Sequence, residues 1–145
     1  MDNTLGPYLE NIDSIILKIK EGLLSKYNIN NDNVKLTIDT HQTVFHYYAW
    51  LFSYNELIKS VYQYYIDSKD VHVKQIIRLT TVYYLQKLLY GINLNQGEST
   101  RLDEFRKFLS KSELNSVYEN ILKITTKVIF RSNFLNDYEN NLNLK

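Results

Sequence analysis

The sequence predicts an all-α protein, an antiparallel four-helix bundle with one short extra helix. Three observations lead there. The 145 residues include one Pro and four Gly, so few positions oblige the backbone to turn. Apolar side chains recur at three- and four-residue steps along four long stretches. The links between those stretches are short, which favours antiparallel neighbours. A chain of this length, 44% apolar, is one ordinary domain able to bury a core without covalent staples. Residues 1–138 are expected to form it, with 139–145 a polar tail that frays.

The first helix is expected from Thr4 or Leu5 to about Tyr27, with Pro7 in its first turn, where proline is tolerated. Leu9, Ile12, Ile16, Ile19, Leu23 and Tyr27 form one stripe while Glu10, Lys18, Lys20 and Glu21 face away, the pattern of an outer amphipathic helix roughly 30 Å long. Residues 28–33, NINNDN, are turn formers whose side chains compete for backbone hydrogen bonds. Residues 34–39, VKLTID, alternate like a strand but have no pairing partner, so they read as the run-in to the second helix, with Asp39 or Thr40 as its N-cap.

That second helix organises the chain. From Thr40 to Ser68 there is neither Gly nor Pro. Val44, Tyr47, Tyr48, Leu51, Tyr54, Ile58, Val61, Tyr62 and Tyr65 make one broad stripe, and Phe45, Trp50, Phe52 and Leu57 spread apolar surface beyond it. A helix apolar on more than one side is packed by neighbours on two faces or by a partner. It is expected to end near Asp67. Asp70 then caps a third helix, Val71 to Tyr90, again broadly apolar. Gly91 sits where helices commonly end in a left-handed residue. The loop INLNQGEST follows, then a short helical piece, RLDEFRKFL, opened by Thr100 and Asp103. Ser110 and Glu113 have capping-box spacing for a last helix from Lys111 to about Phe134.

Composition narrows the function. No Cys is present, which removes disulfides, thiolate metal sites and a Cys nucleophile and fits a reducing cytoplasm. The acidic, polar start is unlike a signal peptide, and no apolar run is long enough to span a membrane. A formal net charge of +1 lacks the basic excess of a nucleic-acid binder. The location expected is therefore cytoplasmic, with neither membrane nor nucleic acid as partner.

No catalytic or metal constellation stands out. His41 and His46 are five apart and point different ways on a helix, and His72 is distant. Glu-x-x-His, HExxH, Walker A and GxGxxG patterns do not occur, and no Ser lies in a nucleophile elbow. Glu56 is the one carboxylate inside the apolar second helix. It is read on a polar strip with Asn55, Lys59 and Gln63, paired with Lys59 in solvent rather than buried as a base. Lys123, Lys127 and Arg131 form a basic ridge of the kind that can meet phosphates, but Glu119 one turn before Lys123 is an arrangement typical of a solvated face. Asn95, Gln96, Glu98 and Arg101 concentrate hydrogen-bonding groups around Gly97, which serve equally to organise the loop or to dock a neighbour.

Two segments carry a family resemblance. AWLFSYNELIKSV (residues 49–61) resembles an A-W-x-x-x-Y-x-E pattern, and LQKLLYGINLNQGESTRL (85–102) resembles a helix ending in Gly followed by Ile, a short link, Q-G-E and Arg. Both patterns belong to the helical N-terminal extension of acyl-CoA dehydrogenases of the methylsuccinyl-CoA dehydrogenase type. The matching residues are Ala49, Trp50, Tyr54, Glu56, Gly91, Ile92, Gln96, Gly97, Glu98 and Arg101. Asn93 stands where relatives are expected to carry Pro. The resemblance implies a non-catalytic helical module that packs on a flavin dehydrogenase core. FAD and the catalytic base would belong to that core, and this chain would bind no cofactor and hold no catalytic residue. Interface or structural roles are expected for Trp50, Tyr54, Glu56, Gly91, Gln96, Gly97, Glu98 and Arg101. Two other readings stay open: a homodimer paired through the same apolar surfaces, and a bundle holding a small apolar acyl ligand between its helices.

Overall fold

The structure is a computed structural model and describes residues 6–94 and 99–131, with side chains as far as residue 126. It is all-α apart from one very small ladder. The helices are α1 (Gly6–Lys26), α2 (Val34–Thr40), α3 (Gln42–Asp67), α4 (Val71–Tyr90) and α5 (Lys111–Arg131), with a 3-10 helix, Leu102–Phe108, before α5.

Local chemistry sets most of the boundaries. Asn28 adopts φ +49°, a left-handed conformation that Asn accepts more readily than most residues. With it, the Asn28 N–H donates to the Ser25 carbonyl (3.2 Å) and the Ile29 N–H to that of Leu24 (3.0 Å), so α1 closes in a Schellman motif. Asp70 accepts from the His72 and Val73 N–H groups at 2.8 and 3.2 Å and caps α4. In the expected capping box, the Ser110 N–H donates to the Glu113 carboxylate at 2.8 Å and the Glu113 N–H to the Ser110 hydroxyl at 3.2 Å. Beyond Arg131, the expected continuation of α5 to Phe134 and the 139–145 tail lie outside the described residues.

Four local expectations are corrected. Residues 34–40 are a helix of their own rather than a run-in. Asn30 and Asn33 form the preceding turn, exchanging side-chain hydrogen bonds with backbone N–H groups at 2.8 to 3.0 Å. Neither Asp39 nor Thr40 caps α3. The Thr40 hydroxyl donates back to the Leu36 carbonyl at 2.7 Å, and the break falls at His41, whose ring packs on Tyr27 with centroids 4.4 Å apart. Gly91 has φ +123° and ψ 134°. That is a glycine conformation, but an extended one that leads into a two-residue antiparallel ladder, Ile92–Asn93 (β1) with Ser99–Thr100 (β2). The piece after it is 3-10 rather than α-helical, and Arg101 precedes it with no side-chain cap from Thr100 or Asp103.

The core lies between the long helices. α1 touches α3, α5 and the 3-10 helix, and α4 touches α3 and α5. Ile12, Ile16, Ile19 and Leu23 meet Leu51 and Ile58 of α3, Leu85 and Leu88 of α4, Phe105 of the 3-10 helix, and Val117, Ile121 and Ile124 of α5 in one cluster. Polar links tie α1 to its neighbours. Lys18 pairs with Glu113, and Asp13 accepts from the buried Asn55 amide at 2.7 Å and from Lys59 at 3.1 Å. Asn55 is therefore inside, a correction to the solvated strip expected for it. The 3-10 helix approaches α1 at Gly22, where an added Cβ would lie 2.6 Å from the Phe108 ring.

Two predictions follow from this packing. Gly22→Ala should destabilise by about 1–2 kcal/mol, because the overpacking cost outweighs the gain in helix propensity. In a Phe108→Ala background the same change should be neutral or stabilising, as thermal melts of the four-member cycle would show. Glu113 is held at about 2, below its ordinary 4.5, chiefly by Lys18 and then by the Ser110 N–H and hydroxyl. A depressed carboxylate contributes stability that is complete above its unfolded pKa and is lost as pH falls towards the folded one. Chemical denaturation between pH 5 and 2 should show that loss (roughly one window of 2–3 pH units), and Glu113→Gln should flatten it.

Candidate interaction surface

α3 and α4 are joined by three residues, Ser68–Asp70, and pack on each other as a hairpin. Their inner sides supply Leu51 and Ile58, and Val82, Leu85 and Leu88, to the core. Their outer sides are also apolar. Trp50, Leu57 and Tyr64 step along α3 by seven residues, and Ile76, Tyr83 and Tyr90 step along α4 by the same interval. These six side chains are between 38% and 71% exposed. Seven residues fall about 20° short of two full turns, so each triplet stays on one narrow face for roughly 21 Å.

Aromatic contacts join the two triplets into one surface. The Trp50 ring lies 6.3 Å from Tyr54, Tyr54 meets Tyr84 edge-on at 5.7 Å, and Tyr84 meets Tyr83 edge-on at 5.4 Å. Burial, then the neighbouring Tyr83 and Tyr84, raises the Tyr54 hydroxyl above its ordinary pKa, so it is neutral near pH 7. The Trp50 indole N–H donates to Nε2 of His46 at 3.1 Å, and the Lys87 ammonium sits 5.3 Å from the Tyr83 ring centroid. Both contacts restrict side chains at the edge of the stripe, which lowers the ordering cost of covering it.

Tyr90 ends the stripe and also lines a shallow recess of about 320 Å³ with Arg101, Asp103 and Tyr118. Arg101 is exposed, its Nε 3.8 Å from Glu104. Burial first, then Asp103, raises the Tyr118 hydroxyl against the opposing pull of Arg101. An open groove of about 740 Å³ runs along the α2–α3 elbow, lined by Ile38, Asp39, Phe45, His46 and Tyr47 among others. All of its lining comes from one short segment, so it is a surface feature and does not lie between the long helices.

The sequence-derived site residues thus separate. Trp50 and Tyr54 lie together on the stripe. Glu56 is on α3 but pairs in solvent with Lys59 at 2.8 Å, as the spacing suggests. Gly91 is buried at the end of α4, and Arg101 lies beside Tyr90 in the recess. Gln96, Gly97 and Glu98 lie outside the described residues. Of the basic ridge, Lys123 pairs with Glu119 at 3.5 Å, and the side chains of Lys127 and Arg131 are outside the described set. The sequence reading counted Ile76 and Tyr83 in the apolar surface of α4 but missed Tyr64 and Tyr90, which continue the two stripes at the same seven-residue step.

Among the described residues no group of three or more His, Asp or Glu is placed to hold a metal ion. No helix among them is long and apolar enough to cross a membrane. Comparison with protein-family models, curated proteins and solved structures returned no match to this chain.

The single Trp makes this surface observable. His46→Ala should leave the melting temperature nearly unchanged, within about 0.5 kcal/mol for an exposed position, while freeing the indole. Lower fluorescence anisotropy and faster acrylamide quenching would register that.

Proposed function

We propose that this chain is a non-catalytic helical interaction module, with the outer face of the α3–α4 hairpin as its docking surface. α1, α3, α4 and α5 are read as the antiparallel four-helix bundle that carries this face. The closed ring of contacts from α1 through α3, α4 and α5 supports that arrangement.

The observation that carries the functional reading is the exposed stripe. Soluble proteins rarely leave contiguous apolar surface of this size open without a partner for it, and Trp and Tyr are the side chains that dominate binding hot spots. The polar groups offer little competition. Asp13, Asn55, Lys59, Lys18 and Glu113 pair with each other across α1.

The resemblance of residues 49–61 and 85–102 supplies a candidate client, the core of an acyl-CoA dehydrogenase. In that association FAD and the reacting acyl thioester would sit in the client. Arg101 and Tyr90, at the end of the stripe, would be where the second resembling segment meets it.

A tagged chain and its Leu57→Glu variant, used side by side as baits in extract of the source cells, test the reading. Leu57 is far enough out of the core for the variant to fold. Recovery of a yellow flavoprotein by the unmodified bait, lost with the variant, is the expected result. Equal recovery by both baits would contradict a docking role for this face.

A further inference from the structure

We propose that, where no other client occupies it, the α3–α4 face is covered by a second copy of this chain, packed about a two-fold axis so that two hairpins form a four-helix seam. This rests on reading the stripe as an interface and names its partner.

Geometry is the first argument. A stripe that repeats every seven residues matches the repeat of helix-on-helix seams, so another helix can follow it along its whole length. Here two such stripes lie side by side. They are equally long, from Trp50 to Tyr64 and from Ile76 to Tyr90, and run in opposite chain directions. Such a face is self-complementary. Turned over about a two-fold axis, parallel or perpendicular to the helices within the interface plane, it sets every helix against an antiparallel one. A closed two-fold contact uses the same patch twice, and this patch supplies both halves.

Area is the second. At roughly 200 Å² for a large side chain, the exposed fractions of the six stripe residues amount to about 600 Å². Exposed Leu79 and half-buried Tyr54 and Val61 bring the face close to the roughly 800 Å² per partner of a standard interface. A face of that size, used by both copies, is sufficient for a stable dimer.

Charge is the third. None of the six stripe residues is charged, and Lys87 beside them is placed over the Tyr83 ring. Duplicating the face therefore brings no block of like charges together. A partner chosen by charge would call for a patterned edge on this face, and the ion pairs Lys18–Glu113 and Asp13–Lys59 lie on the α1 side of the bundle.

Sedimentation equilibrium of the full chain from about 1 to 100 μM, a range that brackets micromolar association, tests this together with Trp50 fluorescence. Leu57→Glu and Tyr83→Glu serve as variants, with thermal melts to establish folding. The expected result is a reversible dimer of twice the 17.3 kDa chain mass, with Trp50 emission shifting to the blue as it forms. Both variants should melt as folded monomers, their dissociation constants raised at least about tenfold (1.4 kcal/mol or more). A wild-type chain monomeric at the top of the range overturns the second copy as occupant. So does a dimer that both variants leave intact. In either case the bait comparison above decides separately whether the face docks another protein, since selective loss of capture with Leu57→Glu keeps the module and assigns its face to a different partner. If instead both variants unfold, the stripe belongs to the core, and the occupant and the interface reading fail together.

Discussion

The constraint on which this structure depends is that the α3–α4 hairpin is apolar on two sides, and one chain covers only one of them. α1 and α5 pack on the inner side, where Leu51, Ile58, Leu85 and Leu88 are at most 1% exposed. Nothing among the described residues covers the outer side. Leu57 and Ile58 illustrate it: adjacent in sequence, they are 38% and 1% exposed. Burial of a large aliphatic side chain is worth about 1.5–3 kcal/mol, so the inner set fixes the fold while the outer set remains a source of binding energy.

The polar links determine which side faces in. Asn55 is buried, and a buried amide without a partner is costly. Its bond to Asp13 therefore fixes the rotation of α3 against α1, with Lys59 and Glu56 completing the set at the surface. Rotating α3 to bury Trp50 and Tyr64 instead would break that bond and expose Leu51 and Ile58. On the opposite side, Lys18 and Glu113 hold α5 to α1, and Phe108 seats the 3-10 helix in the notch left by Gly22. These contacts make the hairpin a firm base, so its outer face is largely ordered in the single chain, which on the proposed docking reading favours binding.

Much of this was legible in the sequence where the determinants are local. Asp70 and the Ser110–Glu113 box mark helix starts through side-chain-to-backbone bonds within three residues, and the stripe of α1 follows the 3.6-residue period. The misreadings depend on distant partners. α2 separates from α3 at His41, which packs on Tyr27 fourteen residues earlier. Asn55 is buried by Asp13, forty-two residues away. The ladder of β1 and β2 is two residues long, too short to show alternation. For the surface itself, the Trp50–Tyr54 contact and the Glu56–Lys59 pair were visible as one-turn spacings. The recess that unites Tyr90 with Arg101 depends on how α4, the 3-10 helix and α5 converge, which no local pattern encodes.

The most direct test compares Ile58→Ala with Leu57→Ala by denaturant unfolding, at a concentration low enough to keep the chain monomeric. If the hairpin has one committed and one free face, Ile58→Ala should cost about 2–5 kcal/mol and Leu57→Ala about 1 kcal/mol or less. Equal costs at the two positions would mean that both faces are packed within the single chain, and the division between core and docking surface would be wrong.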